Sequence, residues 1–241
     1  MQLINNYAKE SHLRILLQGP PGSGKSTLAC HFPGVYIADL DINLGGPLRW
    51  LRENNGPMPI GYDIIGRSDD GKEIPPKDCY QRLITLLNAA LKEPSVQTVV
   101  IDSATKLGDY IQAEVCRSQG KLEMTLPLWG FYLQTWKQFI SQLSAQRKHL
   151  VLTCHENVEK DEIDQTLKYF VQIAGQMKFV IGSMFTDVWR CEVAATTGVN
   201  PKYTFQVRTM PDFRYQLKNS LSLPPIFKFS WDLIASKLNA A

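Results

Sequence analysis

Residues 19–27 read GPPGSGKST and follow the apolar stretch LRILLQ, residues 13–18. The segment satisfies G-x-x-x-x-G-K-[ST] in full, through Gly19, Gly24, Lys25 and Ser26. That pattern needs a buried strand before it and a helix after it. The apolar run 13–18 and the helix expected over GKSTLACHF supply both. Gly22 and Gly24 let the backbone turn tightly and aim its N–H groups inward. The start of the helix adds a partial positive charge. Lys25 then places a compact charge on terminal phosphates, the Ser26 hydroxyl reaches a magnesium ion and Thr27 contacts an inner phosphate. The expected nucleotide-binding set is Gly19, Pro20, Pro21, Gly22, Ser23, Gly24, Lys25, Ser26 and Thr27.

Further continuous apolar runs follow the loop. GVYIADLD (34–41), VQTVVID (96–102) and HLVLTCH (149–155) read as buried strands. Helices are expected at 46–53, over 78–93 with Asp78 as the N-cap, over 103–118 and over 128–146. A short strand is expected at 61–66. Continuous apolar strands alternating with helices predict an α/β fold, with a mostly parallel sheet covered on both faces. After residue 176 the pattern changes. DVWRCEVAA (187–195) and KYTFQVRTM (202–210) flank TTGVNP and predict an antiparallel β-hairpin added to the sheet. FSWDLIASKLNA (229–240) reads as a terminal helix.

The 241 residues suit one domain, with a core over about 12–210 and an extension over about 211–241. Net charge is +3, from 26 basic and 23 acidic side chains, so any basic footprint is local. Five dispersed cysteines without a CxxC pair point to reduced thiols and a cytoplasmic protein. No signal peptide is recognisable, and no apolar run approaches the roughly 20 residues that span a bilayer.

Three strand ends carry polar groups. Asp102 closes a very apolar strand, where it either caps the strand or holds magnesium opposite the loop. Many loop-containing ATPases place glutamate directly after this aspartate, whereas Ser103 stands here. A carboxylate that orients the attacking water must therefore come from elsewhere. Asp39 and Asp41 end the second strand, and Asp41 lies one step further into the loop. Either could instead cap that loop. His155, with Thr153 behind it, either senses the terminal phosphate or is a satisfied strand-end histidine. Lys25, Asp41, Asp102 and His155 form the candidate catalytic set, with Ser26 and Asp102 as the metal pair.

The segments GPPGSGKST, YIADLDINLGG, VVIDSAT, LTCHENVEKDE and IGSMFTDVWRCEV occur in an order that resembles the RecA-like P-loop ATPases. They look most like the small phage-encoded single-domain nucleotide-binding proteins, some of which act in single-strand annealing or recombination. The resemblance implies ATP and Mg²⁺ as cofactors and a location in the cytoplasm of a bacterial host. It also implies self-association into a ring or filament with nucleotide between subunits. Single-stranded DNA would be the partner, with a single-strand binding protein as a further one.

The DNA-binding loops would then be about 117–128, with Arg117 and Lys121, and 156–178, with Lys168, Tyr169, Phe170 and Lys178. Basic groups there would neutralise phosphates and aromatics would stack on bases. A mobile solvated surface is the competing reading, because the second loop also carries five acidic residues. Lys178 is the candidate for a lysine acting on a neighbouring subunit. Two other readings remain: a nucleotide-switched assembly protein without significant turnover, and a replication or packaging motor subunit.

Overall fold

The computed structural model describes residues 12–162, 165–195, 203–212 and 214–240. In chain order these form β1 (Arg14–Gly19), α1 (Lys25–Ala29), β2 (Val35–Asp39), α2 (Gly45–Glu53), β3 (Gly61–Ile64) and α3 (Pro76–Lys92). Next come β4 (Thr98–Asp102), α4 (Ala104–Ser118), α5 (Leu128–Ser144), β5 (His149–Lys160), β6 (Leu167–Val171) and α6 (Met177–Val180). The chain finishes with β7 (Asp187–Ala195), β8 (Tyr203–Arg208), β9 (Ile226–Lys228) and α7 (Trp231–Ala240).

The strands lie in the order β3-β2-β4-β5-β1-β7-β8-β9, with β6 paired to β5. From β3 through β7 every pairing along this path is parallel, and β7–β8 and β8–β9 are antiparallel. The predicted mixed α/β architecture is therefore present, including the late antiparallel strands. The expected turn TTGVNP lies outside the described residues.

Side chains alternate across a strand, and this divides the apolar runs between two cores. Leu16, Val99, Ile101, Leu150 and Leu152 face the layer of α3, α4 and α5. Ile15, Leu17, Ile37, Val100 and Val151 face α1, α2 and α7. The strands are covered on both sides, which is why their sequences show no polar face. Fully burying each such residue contributes about 1.5–3 kcal/mol. In α5 the residues Tyr132, Trp136 and Phe139 are core, as the spacing suggests, while Phe131 stands exposed.

Three elements differ from expectation. The first helix stops at Ala29 instead of reaching Phe32, because Pro33 disfavours helix at the residue before it and Gly34 turns with φ 50°. The third helix, α3, begins at Pro76, so Asp78 sits in its first turn rather than capping it. Proline suits that first position because the missing N–H has no intrahelical partner there.

The third difference concerns the segment 156–178, expected as a loop. After His155 the strand β5 leaves its parallel neighbour and pairs antiparallel with β6, from Glu156↔Val171 to Lys160↔Leu167. Acidic residues in this stretch hid the alternation. No helix among the described residues is long and apolar enough to cross a membrane.

Candidate nucleotide-binding site

The carboxyl ends of β1, β2 and β4 meet the end of the parallel-paired part of β5, at His155, along one edge of the sheet. Register places Gly19 beside His155 and Asp39 beside Asp102. Ligands in open parallel sheets bind outside such ends. Here a cavity of about 340 Å³ is lined by the loop from Pro21 to Thr27 and by Asp41, Asn43, Trp50, Asp102, His155 and Phe205.

The loop itself is built on glycines with positive φ, 76° at Gly22 and 87° at Gly24. An added Cβ at Gly24 would lie 2.5 Å from the Phe205 ring. Lys25 Nζ donates to the carbonyls of Gly19 at 2.8 Å and Pro20 at 2.9 Å. Burial lowers the Lys25 pKa, against the pull of Asp102 and Glu156 nearby.

Asp102 is 3% exposed. Thr153 donates its hydroxyl proton to Asp102 Oδ1. Asp102 Oδ2 is buried without a hydrogen-bond partner among the described residues. Burial raises the pKa of this carboxyl, and the hydroxyls of Ser26 and Thr153 draw it back down. A carboxylate oxygen left open beside Ser26 and a cationic loop fits a magnesium-bound triphosphate. Hard oxygen donors are what that ion takes, and an unpartnered buried charge is otherwise costly. Ser26 and Asp102 are the residues that would hold it.

The two acidic residues after β2 separate clearly. Asp39 is buried, and its carboxylate accepts N–H bonds from Asn43 at 3.4 Å and Leu44 at 3.2 Å. It thereby ties down the start of α2. Asp41 lines the cavity instead. The backbone N–H groups of Leu40 and Asp41 donate to the Asp102 carbonyl at 2.6 and 3.4 Å, which fixes the approach of this segment to β4. His155 Nε2 stands 3.5 Å from Asp41 Oδ2. The His155 backbone is held by the Thr105 hydroxyl and by the N–H of Gln172, which leads out of the β5–β6 hairpin.

A family model of the AAA domain matches residues 11–213. The chain belongs to the AAA-domain family. A comparison with curated proteins finds no match. The family consists of P-loop ATPase domains, which agrees with the loop, the sheet and the strand-end carboxylate.

Other predicted residues of this AAA domain fall into two groups. Arg117 ends α4 and is bound to Glu114 through two 2.8 Å contacts, and Lys121 sits in the following loop beside the exposed Leu122 and Leu126. Lys168, Tyr169 and Phe170 lie on β6. Lys168 pairs with Asp161. The Tyr169 ring packs 4.8 Å from Tyr215 and under the Arg190 guanidinium. Phe170 meets Phe179 at 5.5 Å, with Lys178 over both rings and bound to Glu159 at 2.6 Å. Lys168, Tyr169 and Phe170 of β6 thus gather with Lys178 of α6, whereas Arg117 and Lys121 belong to the last turn of α4 and the loop after it.

Sequence reasoning missed three contributors. Trp50 and Phe205 place their rings 5.3 Å apart at the cavity wall, and Trp50 remains 39% exposed. An exposed tryptophan on the short amphipathic helix α2 was the available signal for one of them. Phe205 arrives from β8 and had none. The third is Glu156, nearly buried and bound to Arg190 through contacts of 2.9, 3.1 and 3.2 Å. Burial raises the Glu156 pKa, and Arg190 opposes that shift.

Proposed function

We propose that the protein binds ATP with Mg²⁺ and hydrolyses it to ADP and orthophosphate. The observation that carries this reading is the open, buried Asp102 oxygen beside Ser26, facing a glycine loop that ends in Lys25. Lys25 and the loop N–H groups hold the phosphates. Ser26 and Asp102 would hold Mg²⁺, which would supply neutralisation of the phosphate charge. Asp41 orients the attacking water and His155 senses the terminal phosphate. The water oxygen bonds to the terminal phosphorus as the bridging P–O bond breaks, and a proton is released. Trp50 and Phe205 offer the base an aromatic wall. Calorimetry of ATP with and without Mg²⁺ tests the binding. A Lys25→Ala variant that turns over ATP at the wild-type rate would sink the assignment.

The reading extends to single-stranded DNA, with the protein self-associated in a ring or filament and acting in annealing or strand exchange. The resemblance to recombination ATPases supports it, as does the cluster of Phe170, Lys178 and the half-exposed Phe179. Tyr215 covers the Tyr169 ring, so the edge-to-face pair of Phe170 and half-exposed Phe179, with Lys178 over it, is the aromatic surface offered to a base. Each stacked base is worth about 1–3 kcal/mol. ATP turnover measured with and without an oligonucleotide decides the matter. Stimulation that Phe170→Ala abolishes supports DNA as partner. Turnover indifferent to DNA, with nucleotide changing only the oligomer size, supports an assembly switch instead.

A further inference from the structure

A second, larger cavity of about 660 Å³ lies behind the first. The two share Asp41, Asn43 and His155, so those three side chains are the partition between them. Beyond it stand Lys106, from the first turn of α4, and Arg67, from the loop after β3. We propose that this second cavity is the exit route of cleaved orthophosphate, which passes the Asp41–His155 pair and is drawn outward by Lys106 and Arg67. The inference rests on the ATP hydrolysis proposed above.

Three observations support it. First, Trp50 and Phe205 line the first cavity together, where a bound nucleoside would remain after cleavage. Orthophosphate, formed at the inner end, then needs another way out. Second, the partition is weakly held. The Asp41–His155 contact is 3.5 Å, longer than a good hydrogen bond, and neither side chain is fully buried. Third, the cations beyond it are weakly held: Arg67 is exposed, and Lys106 has only surface contacts among the described residues. Lys106 pairs with exposed Asp109 at 3.3 Å and lies over the Tyr110 ring at 5.6 Å, and exposed contacts of this kind contribute little. Glu73 also lines the cavity, so its field is mixed and not uniformly positive. A mixed field suits passage better than retention, since a purely cationic pocket would hold the anion.

The test traps the Mg·ADP·orthovanadate complex on the full-length protein, removes free ligand by gel filtration, and follows vanadium retained over time. Lys106→Ala and Arg67→Ala are expected to slow vanadate escape about three- to tenfold. Lys106→Arg should restore the wild-type rate. Single-turnover cleavage of ATP, read by acid quench, should change less than about twofold in all three. Escape that is unchanged or faster in both alanine variants overturns the exit route, even if cleavage is normal. Labelled phosphate held without nucleotide also overturns it, because the cavity would then be a binding site for phosphate from solution. Wild-type protein that neither traps vanadate nor cleaves ATP defeats the hydrolysis reading, and this inference falls with it.

Discussion

Replacing Asp102 by asparagine should reverse the stability order of the two proteins depending on ligand. In the free protein Asp102 is 3% exposed, accepts one bond from Thr153 and leaves Oδ2 unpartnered. An unsatisfied buried polar group costs about 1–3 kcal/mol, more when charged. Asparagine keeps the shape and keeps an oxygen for Thr153, but carries no charge. A gain of about 1–2 kcal/mol is expected in EDTA, or roughly 2–8 °C in midpoint for a chain of this size. With Mg²⁺ and nucleotide at a hundred times the dissociation constant, the wild type should gain about 2.7 kcal/mol. Asp102→Asn should lose the magnesium-dependent part of that gain. Thermal unfolding by circular dichroism, in EDTA and in Mg·nucleotide, gives all four numbers. A variant that is less stable in EDTA, or that keeps the full magnesium shift, would refute the view that Asp102 is held in readiness for a cation.

Other expectations follow from single contacts. Gly24→Ala forces a side chain onto φ 87° and into the Phe205 ring, so nucleotide binding should be lost and the fold weakened by about 1–3 kcal/mol, measured by titration and denaturant unfolding. Asp41→Asn should retain nucleotide in calorimetry while kcat falls about 10²- to 10⁴-fold. Trp50→Ala should weaken nucleotide about 5- to 30-fold, from the stacking it removes, in a competition assay. His149 accepts the Leu13 N–H at 3.0 Å and is pushed down to about 4 by burial and then by His12. Its folded pKa therefore lies below the unfolded value of about 6.5, so it adds stability above that pH, which is lost as pH falls toward 4. The loss should approach about 3 kcal/mol, and His149→Gln should flatten that limb of the unfolding profile.

The parallel half of the sheet is legible because β1, β2, β4 and β5 are apolar runs ended by polar residues. A strand buried on both faces has no other way to be written, and the end of its apolar run is where Asp102 and His155 become visible. Local spacing was insufficient where a residue's role depends on a distant neighbour. Asp39 and Asp41 look equivalent in the chain, and only the folding back of Asn43 and Leu44 onto Asp39 tells them apart. The β5–β6 hairpin was obscured because its acidic residues pair with partners elsewhere in the segment, Asp161 with Lys168 of β6 and Glu159 with Lys178 of α6, rather than face solvent alone. Phe205 meets Gly24 and Trp50 across most of the sequence, and no window along the chain contains all three.

Phe205 has a practical corollary for anyone who dissects this chain. A fragment ending shortly after β7 keeps every letter of the GKST signature, yet it strips the ring that roofs Gly24. Such a fragment would retain the motif and lose the grip. Conversely, any displacement of β8 carries that ring against or away from Gly24, so a late strand bears directly on the shape of an early loop.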